Sequence, residues 1–234
     1  MRLRRLPLLL VLMAPCLAQK HPVAKGPCEG QTLYARLATE NGHGPIKSPD
    51  GQKSVTANRL EDAQDPDGQY MSLLVRAGKE RFKARLDGFH AEILWAPDSS
   101  SFAVNETEGG GGFDQRAYIF YAKESGLIRL DVSRPVEKVF GYPGKCEVQV
   151  PPNSAVLAWL GPDRLLVAAE VVNVSVCKYM GTFVTYEVSL PDLKILARHT
   201  QKESKLRFNQ YLGCELRDAD DKSASAWQTQ PKAH

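Results

Sequence analysis

Catalytic signatures are the first thing that this 234-residue sequence lacks. It has no G-x-S-x-G nucleophile elbow, no H-E-x-x-H zinc motif, no Walker loop and no G-x-G-x-x-G following a strand. Each of these motifs places reactive or phosphate-binding groups at the spacing that its chemistry needs. We therefore assign no catalytic residue and no cofactor-binding residue, and we expect no cofactor.

Long hydrophobic runs are also lacking, except for one at the N-terminus. Leu6–Leu17 is almost entirely apolar and follows the basic residues Arg2, Arg4 and Arg5. A bilayer-spanning helix needs about 20 apolar residues, so this run is too short to be one. A basic start, a short apolar run and a small residue at Ala18 are typical of a signal peptide that is cleaved after residue 18. The sequence therefore predicts a secreted or periplasmic protein with no membrane insertion after cleavage.

A surplus of one charge is absent from the rest of the chain. Residues 1–18 hold three of the 30 basic residues and none of the 27 acidic ones, so 27 of each remain. A domain that binds nucleic acid usually carries a basic surplus. The balance of charge therefore predicts no nucleic-acid partner.

Paired cysteine motifs are missing as well. Four cysteines follow the predicted cleavage site, none of them in a C-x-x-C pair: Cys28, Cys146, Cys177 and Cys214. Zinc sites usually show close cysteine or histidine spacing, so disulfides are the favoured interpretation in an exported protein. Four cysteines allow three pairings. We favour Cys146–Cys177 as a local link and Cys28–Cys214 as a link between the two ends of the domain.

The most regular feature that is present is a hairpin pattern between His90 and Val104. Ala91–Trp95 is a short apolar run, and Phe102–Val104 begins a second one. Between them, Pro97 and Asp98 are typical turn residues, because proline fixes its own φ and aspartate bonds to nearby backbone. The pattern predicts a β-hairpin with an aromatic residue at the end of its first strand.

Similar units lie on both sides of this hairpin. Three sets of about four short strands are predicted, the first of them beginning with Thr32–Ala38. The predicted sets span residues 32–86, 90–132 and 155–198. The sequence therefore predicts an all-β protein built from antiparallel four-stranded units.

The proline–aspartate turns give the repeat a measurable spacing. They occur in all three sets, as Pro49-Asp50, Pro97-Asp98 and Pro162-Asp163. Asp50 and Asp98 are 48 residues apart, and Asp98 and Asp163 are 65 apart. The first interval suits a propeller blade of roughly 40–50 residues, whereas the second requires an insertion, for which 134–152 is the candidate.

The motif Trp-x-Pro-Asp-Ser/Gly before an apolar strand resembles the repeat of TolB-type β-propellers, which also occurs in propeller domains of some exported peptidases. The copy at Trp95 matches it, the copy at Trp159 has one extra residue before its proline, and Ile46 takes the place of tryptophan in the first copy. The resemblance implies four-stranded blades with the rings of Trp95 and Trp159 packed between neighbouring blades. Because closed propellers have four to eight blades, three copies imply a partial, propeller-like fold. A twisted antiparallel sheet with recurrent Pro-Asp turns is the alternative.

The sequence can be divided into four predicted parts, and one acidic loop within it is a weak candidate for a metal site. The predicted divisions are a signal peptide (1–18), a leader (19–31), a β-propeller-like domain (32–214) and a flexible tail (215–234). Asp65 and Asp67 lie in the acidic loop Glu61–Gln69 and offer carboxylate oxygens of the kind that Ca²⁺ binds. The loop lacks the EF-hand pattern, so we expect a solvated loop and assign no metal ligand.

These observations predict an exported, non-catalytic binding or protein–protein interaction module. Its partner is an unknown protein or small ligand, since loops and surfaces carry the function of such folds. The alternatives are an enzyme or hydrolase accessory with an unmarked site, or a structural component of an envelope assembly. A monomer is favoured over a homodimer in which two three-bladed arcs close a six-bladed ring.

Overall fold

The computed structural model describes residues 31–59, 70–88, 90–107, 115–123, 126–142, 150–172 and 179–220. In these ranges the strands form three antiparallel sheets, which confirms the predicted all-β class with four-stranded units. The strands are β1 (Thr39–Glu40), β2 (Ile46–Lys47), β3 (Lys53–Arg59), β4 (Met71–Ala77), β5 (Glu80–Leu86), β6 (His90–Trp95), β7 (Ser101–Thr107), β8 (Arg116–Lys123), β9 (Gly126–Asp131), β10 (Asn153–Gly161), β11 (Arg164–Glu170), β12 (Phe183–Ser189) and β13 (Ile195–His199).

The first and third sheets, and the strands β6-β7-β8-β9 of the second, are meanders of strands that follow one another in the chain. The first sheet has the order β2-β3-β4-β5, and the third has the order β10-β11-β12-β13. The second sheet has the order β1-β6-β7-β8-β9, in which the two-residue strand β1 pairs with β6 at the edge. Connections of two residues, as between β4 and β5 and between β10 and β11, require this antiparallel arrangement, because a parallel pair would need a long crossover.

The three sheets are stacked face to face, with the second sheet in the middle. Apolar side chains of the first sheet, such as Leu73, pack against one face of the second sheet, where Phe102 and Phe120 lie. The opposite face of the second sheet, with Ile119, packs against Val167 and its neighbours in the third sheet. Side chains on both faces of the second sheet are therefore buried, which explains why β7 is buried at every position.

Two tryptophans occupy equivalent places between the sheets. The indole nitrogen of Trp95 donates a hydrogen bond to the carbonyl oxygen of Ile46 in the first sheet, at 3.1 Å. The indole nitrogen of Trp159 donates in the same way to the carbonyl oxygen of Leu94 in the second sheet, at 3.2 Å. Both rings are 9% exposed. Each tryptophan thus joins its own sheet to the preceding one.

The Pro-Asp turns also occupy equivalent places, because each of them connects the first strand of a four-stranded meander to the second strand. Two of the turns are in contact, since the backbone nitrogen of Asp50 donates to Ser99 Oγ at 3.1 Å. The residue after aspartate has a left-handed backbone in both, with φ of 72° at Gly51 and 61° at Ser99. Glycine adopts that conformation without steric cost, so Gly51 is the natural residue there.

The third sheet has its far face covered by the two ends of the described chain. Helix α1 (Ser133–Val139) precedes this sheet, whereas α2 (Gln201–Phe208), a 3₁₀ turn (Asn209–Tyr211) and α3 (Cys214–Asp218) follow it. Phe208, Leu212 and Leu216 from these later elements pack with Phe183 of the sheet and with Tyr34. They convert an apolar sheet face into buried core.

Two sequence predictions at the ends of the domain were wrong. Thr32–Ala38 was expected to be a strand, but strand structure begins only at Thr39, and 32–38 has a single bridge, from Ala35 to Leu212. The tail was expected to be flexible from residue 215, but α3 continues to Asp218. The physical reason is the same for both, since these segments pack against each other and the third sheet. A Cβ on Gly213 would lie 2.3 Å from the carbonyl oxygen of Leu33.

Most of the predicted disulfide framework lies outside the described residues, as do residues 1–30 and the metal candidates Asp65 and Asp67. Cys214 is buried at the first position of α3. Its pairing stays a prediction, because Cys28, Cys146 and Cys177 are not described. In the described part of the chain, the longest helix has eight residues and none is long and apolar enough to cross a bilayer.

Candidate functional site

The outer face of the first sheet is the candidate functional surface. In an antiparallel sheet, residues that are directly opposite each other project from the same face. The register places Ser54, Arg76 and Arg81 in one row across the sheet and Thr56, Leu74 and Lys83 in the next. A third row contains Asn58, Ser72 and Arg85, and Lys47 extends the first row. We call this surface the basic face, after its five cations Lys47, Arg76, Arg81, Lys83 and Arg85.

The cations of the basic face are exposed and lack acidic partners in the described ranges. All five are exposed side chains, and none of the described residues that project from this face is acidic. The ion pairs found in the described ranges involve other residues. Arg85 stacks on the Tyr70 ring, with its guanidinium carbon 3.7 Å from the ring centre. The face therefore presents a concentrated positive charge on a chain with balanced charge.

This arrangement of charge is unfavourable for folding by itself. Arg76 and Arg81 are directly opposite each other on β4 and β5. Like charges at opposed positions on one face destabilise a sheet, because their Cβ atoms are only about 5 Å apart. Such a pair is more readily understood as part of a binding surface than as part of the folding framework.

The sequence contains a signal for this surface that overall charge conceals. Arg81, Lys83 and Arg85 alternate with Phe82 and Ala84, so a strand places all three cations on one face. Net charge over the whole chain averages them with acidic residues elsewhere. Charge counted for each strand face would have identified the surface.

A second candidate is a polar pocket of about 360 Å³ beside the third sheet. Glu170, Glu215 and Met180 are among its lining residues. Tyr34 Oη donates a hydrogen bond to Glu170 Oε2 at 2.9 Å, and Asn153 Nδ2 donates to the same oxygen at 3.4 Å. Burial raises the pKa of Glu170 to about 7, against the hydrogen bonds, which lower it. The pocket holds a carboxyl group that can change its protonation state near neutral pH.

The contacts around Tyr34 show what this pocket does for the fold. Glu92 of β6 accepts hydrogen bonds from the backbone nitrogens of Tyr34 and Ala35, both at 2.9 Å. Burial raises the pKa of Glu92, although those backbone hydrogen bonds oppose the change. Two buried carboxyl groups, one from the second sheet and Glu170 from the third, thus hold the same short segment. Both carboxyl groups therefore have a structural role, as anchors of the segment that contains Tyr34 and Ala35.

Asn105 makes a direct polar connection between the second and third sheets. Its side-chain amide donates to the carbonyl oxygen of Val156 at 2.9 Å and accepts from the backbone nitrogen of Val156 at 2.7 Å. The amide therefore satisfies both backbone groups of a residue in β10, as a neighbouring strand would. Sequence offers no local sign of this contact, because the two residues are 51 positions apart.

Histidine and carboxylate side chains meet at two described places. His90 Nε2 is 3.6 Å from Glu40 Oε1 at the edge of the second sheet, and the second place is on the third sheet. His199 Nε2 is 3.0 Å from Glu187 Oε1, and its Nδ1 is 3.1 Å from an Arg207 guanidinium nitrogen. Both ring nitrogens are therefore engaged, and neither partner is a nucleophile. The described residues contain no group of three or more His, Cys, Asp or Glu that could hold a metal ion.

An open groove of about 810 Å³ runs between the second and third sheets beside α1. It contains four basic side chains, Arg116, Arg129, Arg134 and Lys138, together with Asp131 and Asp192. Arg134 pairs with Asp131 at 3.3 Å, and Arg129 lies over the Tyr118 ring. Because carboxylates are mixed with the cations, the groove has a weaker positive charge than the basic face.

The predicted motif residues have structural positions in this arrangement. Trp95 and Trp159 lie between sheets, and the Pro-Asp turns lie at sheet ends. They position the sheets and do not contribute to the basic face. Comparisons with protein families, with curated proteins and with solved structures find no match for this chain.

Proposed function

We propose that this chain is an exported, non-catalytic binding module that engages its partner through the basic face. The observation that carries the proposal is the set of five exposed cations without a described acidic partner, on the one end of the sheet stack that no described apolar cluster covers. An acidic partner surface would supply the missing countercharges, and complementary charge speeds association as well as orienting it.

Export and the propeller relationship belong to the same proposal. The segment 1–18 acts as a signal peptide and delivers the protein to the periplasm or the exterior. The three sheets are propeller-type blades related to TolB repeats. The equivalent hydrogen bonds of Trp95 and Trp159 to the preceding sheet support this relationship. Blades of one architecture stack in the same way each time, so a repeated inter-sheet contact is the expected consequence.

We also propose that the module is a monomer with a Cys28–Cys214 disulfide. The far face of the third sheet is covered by Phe208, Leu212 and Leu216, which supports a stack that is closed at that end within one chain. The backbone nitrogen of Cys214 donates to the carbonyl oxygen of Thr32 at 3.1 Å. Cys28 precedes Thr32 by only four residues, a length of chain that spans at most about 14 Å, and this short separation supports the pairing.

The alternative functions have less support from the described residues. An envelope component would be favoured by a broad apolar patch on an exposed sheet face, but Leu74 is the only apolar side chain on the basic face among those described. An enzyme would be favoured by a pocket with converging histidine and carboxylate groups. The pocket at Glu170 has two carboxylates and no histidine among its described lining residues.

Site-directed photocrosslinking in the cells of origin tests the proposed function. A photoreactive phenylalanine analogue at position 83, in the middle of the basic face, is expected to give a defined adduct on irradiation of the exported protein. The same analogue at position 202, on the exposed side of α2, serves as the matched control and is expected to give none. The adduct at position 83 should disappear in the variant with Arg76→Gln and Arg81→Gln. An adduct of equal yield at position 202, or no adduct at position 83, would contradict the proposal.

A further inference from the structure

The geometry of the basic face selects among acidic partners. Alternate residues along a strand are about 6.8 Å apart, and neighbouring strands are about 4.8 Å apart. Arg81, Lys83 and Arg85 therefore form a line of cations about 14 Å long on β5, and Arg76 lies beside one end of it. The surface is a sheet face, not a cavity, so it suits an extended ligand with charges at regular intervals better than a compact one.

Uncharged polar groups lie between the cations. Ser54, Thr56, Asn58 and Ser72 project from the same face, in the rows of Arg76, Lys83 and Arg85. Hydroxyl and amide groups both donate and accept hydrogen bonds. A ligand that carries many hydroxyl groups as well as negative charges would therefore be matched by both kinds of side chain.

The basic face is poorly suited to nucleic acid. Proteins that bind single strands on a sheet stack the bases on exposed aromatic rings. The one aromatic ring described on this face belongs to Tyr70, and Arg85 already covers it. A flat sheet face also cannot reach the base edges in the major groove of a duplex, which admits a helix or a two-stranded ribbon.

A membrane surface is also a poor match for this face. Proteins that bind in the membrane interface combine cations with apolar side chains that enter the acyl boundary. Leu74 is the one apolar side chain in the three described rows, and it is only half-exposed. The face lacks the apolar component of such a surface in the described ranges.

We infer that the basic face binds a linear acidic polysaccharide whose sulfate or carboxylate groups pair with Arg76, Arg81, Lys83 and Arg85. The inference rests on the proposed function and names its ligand class. Guanidinium groups present a planar pair of donors that matches a carboxylate or sulfate, and the three arginines supply it. The hydroxyl and amide groups between the cations bind sugar hydroxyl groups.

Titration with defined oligosaccharides tests this inference on the full, oxidised protein. The probes are a heparin-type sulfated oligosaccharide and a polygalacturonate oligosaccharide, and neutral dextran is the uncharged comparison. Both acidic probes are expected to bind, with affinity that falls as the salt concentration rises, and dextran is expected not to bind. The variant Arg76→Gln/Arg81→Gln/Lys83→Gln should bind the better probe about tenfold or more weakly, since exposed ion pairs are individually modest.

A matched variant separates the effect of this face from the effect of total charge. Lys123→Gln/Lys194→Gln/Lys202→Gln removes the same number of charges from exposed positions elsewhere and should leave the affinity within about twofold. Loss of folding does not confound the test, because removing the opposed pair Arg76 and Arg81 relieves repulsion. The variant Arg81→Glu should therefore unfold at the same or higher urea concentration than the wild type while binding the acidic probe more weakly.

The inference would be overturned by equal weakening from the two triple variants, or by no binding of either acidic oligosaccharide. Tighter binding of single-stranded oligothymidylate, or of phosphatidylglycerol vesicles, than of the oligosaccharides would overturn it too. Binding that appears only after the acidic residues of Glu61–Gln69 are neutralised would also overturn it, because the face would then be occupied by the chain's own loop. If these results occur while the adduct at position 83 persists, the ligand class is wrong and the proposed function stands.

Discussion

At each of the two interfaces between neighbouring sheets, a tryptophan indole nitrogen donates a hydrogen bond across the interface. Trp159→Phe removes the indole donor to the half-buried carbonyl oxygen of Leu94. The net contribution of one such hydrogen bond to stability is about 0.5–1.5 kcal/mol. We expect urea unfolding to show a loss of stability of that size for Trp159→Phe, and a similar loss for Trp95→Phe, which removes the equivalent donor to Ile46. Unchanged stability in both variants would show that water replaces the indole and that the repeated contact does not hold the stack together.

Glu170 gives the protein a pH dependence that can be measured. Burial raises its pKa to about 7 in the folded state, whereas the unfolded chain has the ordinary value near 4.5. The unfolded state therefore releases this proton first, and the folded state loses stability as the pH rises from about 4.5 to about 7. The full loss is about 3 kcal/mol at 1.36 kcal/mol for each unit of pKa.

Glu170→Gln isolates this contribution, because its amide is neutral at every pH and its oxygen still accepts from Tyr34. Burial also raises the pKa of Glu106 to about 7, so the wild type and the variant should both lose stability with rising pH. The measurement is the free energy of unfolding in urea at several values between pH 4.5 and 7.5. The slope should be smaller for Glu170→Gln than for the wild type. Equal slopes would mean that Glu170 ionises normally in the folded protein.

The residue scale also shows what the sequence can and cannot reveal. The resemblance to a propeller repeat implied that Trp95 and Trp159 pack between neighbouring blades, and both lie between sheets. The partners of Glu170 and Asn105 could not be predicted, since Tyr34 is 136 positions from Glu170 and Val156 is 51 from Asn105. Local patterns carry information about turns and strand faces, whereas such polar contacts depend on how whole sheets are stacked.

At the scale of elements, the strands were predictable and the C-terminal helices were not. Alternating apolar residues between turn residues identify β4, β6 and β9 directly. Helix α2, in contrast, is mostly polar, and Phe208 is the one large apolar residue that it buries. An amphipathic stripe is the usual sequence signal of a helix, and α2 has almost none. It forms because its end packs on the third sheet and because its start is capped.

The cap of α2 is a reciprocal pair of hydrogen bonds, and a substitution at Thr200 removes the one that its side chain accepts. The backbone nitrogen of Glu203 donates to Thr200 Oγ1 at 3.3 Å, and that of Thr200 donates to Glu203 Oε2 at 2.7 Å. Thr200→Ala should reduce the free energy of unfolding by about 1 kcal/mol, whereas Thr200→Ser retains the oxygen and should be close to wild type. Faster amide hydrogen exchange in 201–208 would accompany the loss. Equal stability of the two variants would mean that packing of Phe208 alone holds the helix.

At the scale of the whole molecule, positive charge is concentrated on one surface of the fold and not in one segment of the sequence. The chain that follows residue 18 has equal numbers of acidic and basic residues, yet the basic face carries five cations and no described carboxylate. The composition therefore shows no basic surplus, yet it does not reveal that one surface of the fold is basic. The two ends of the stack also differ, because the third sheet is covered by the terminal segments and the first sheet presents charge. This asymmetry opposes a closed ring of two chains, in which each end would need an exposed apolar face.

Light scattering on a sizing column, with the oxidised protein after removal of residues 1–18, is expected to give the mass of a single chain. Repulsion between basic faces opposes association at low salt, so the mass should also be measured at 1 M salt, where charges are screened beyond about 3 Å. A monomer is expected in both conditions. A chain that ends at residue 200 loses Phe208, Leu212 and Leu216 and exposes the apolar face around Phe183, so it should associate. A two-chain mass for the longer protein in both conditions would instead support the six-bladed ring, with the terminal segments displaced from the third sheet.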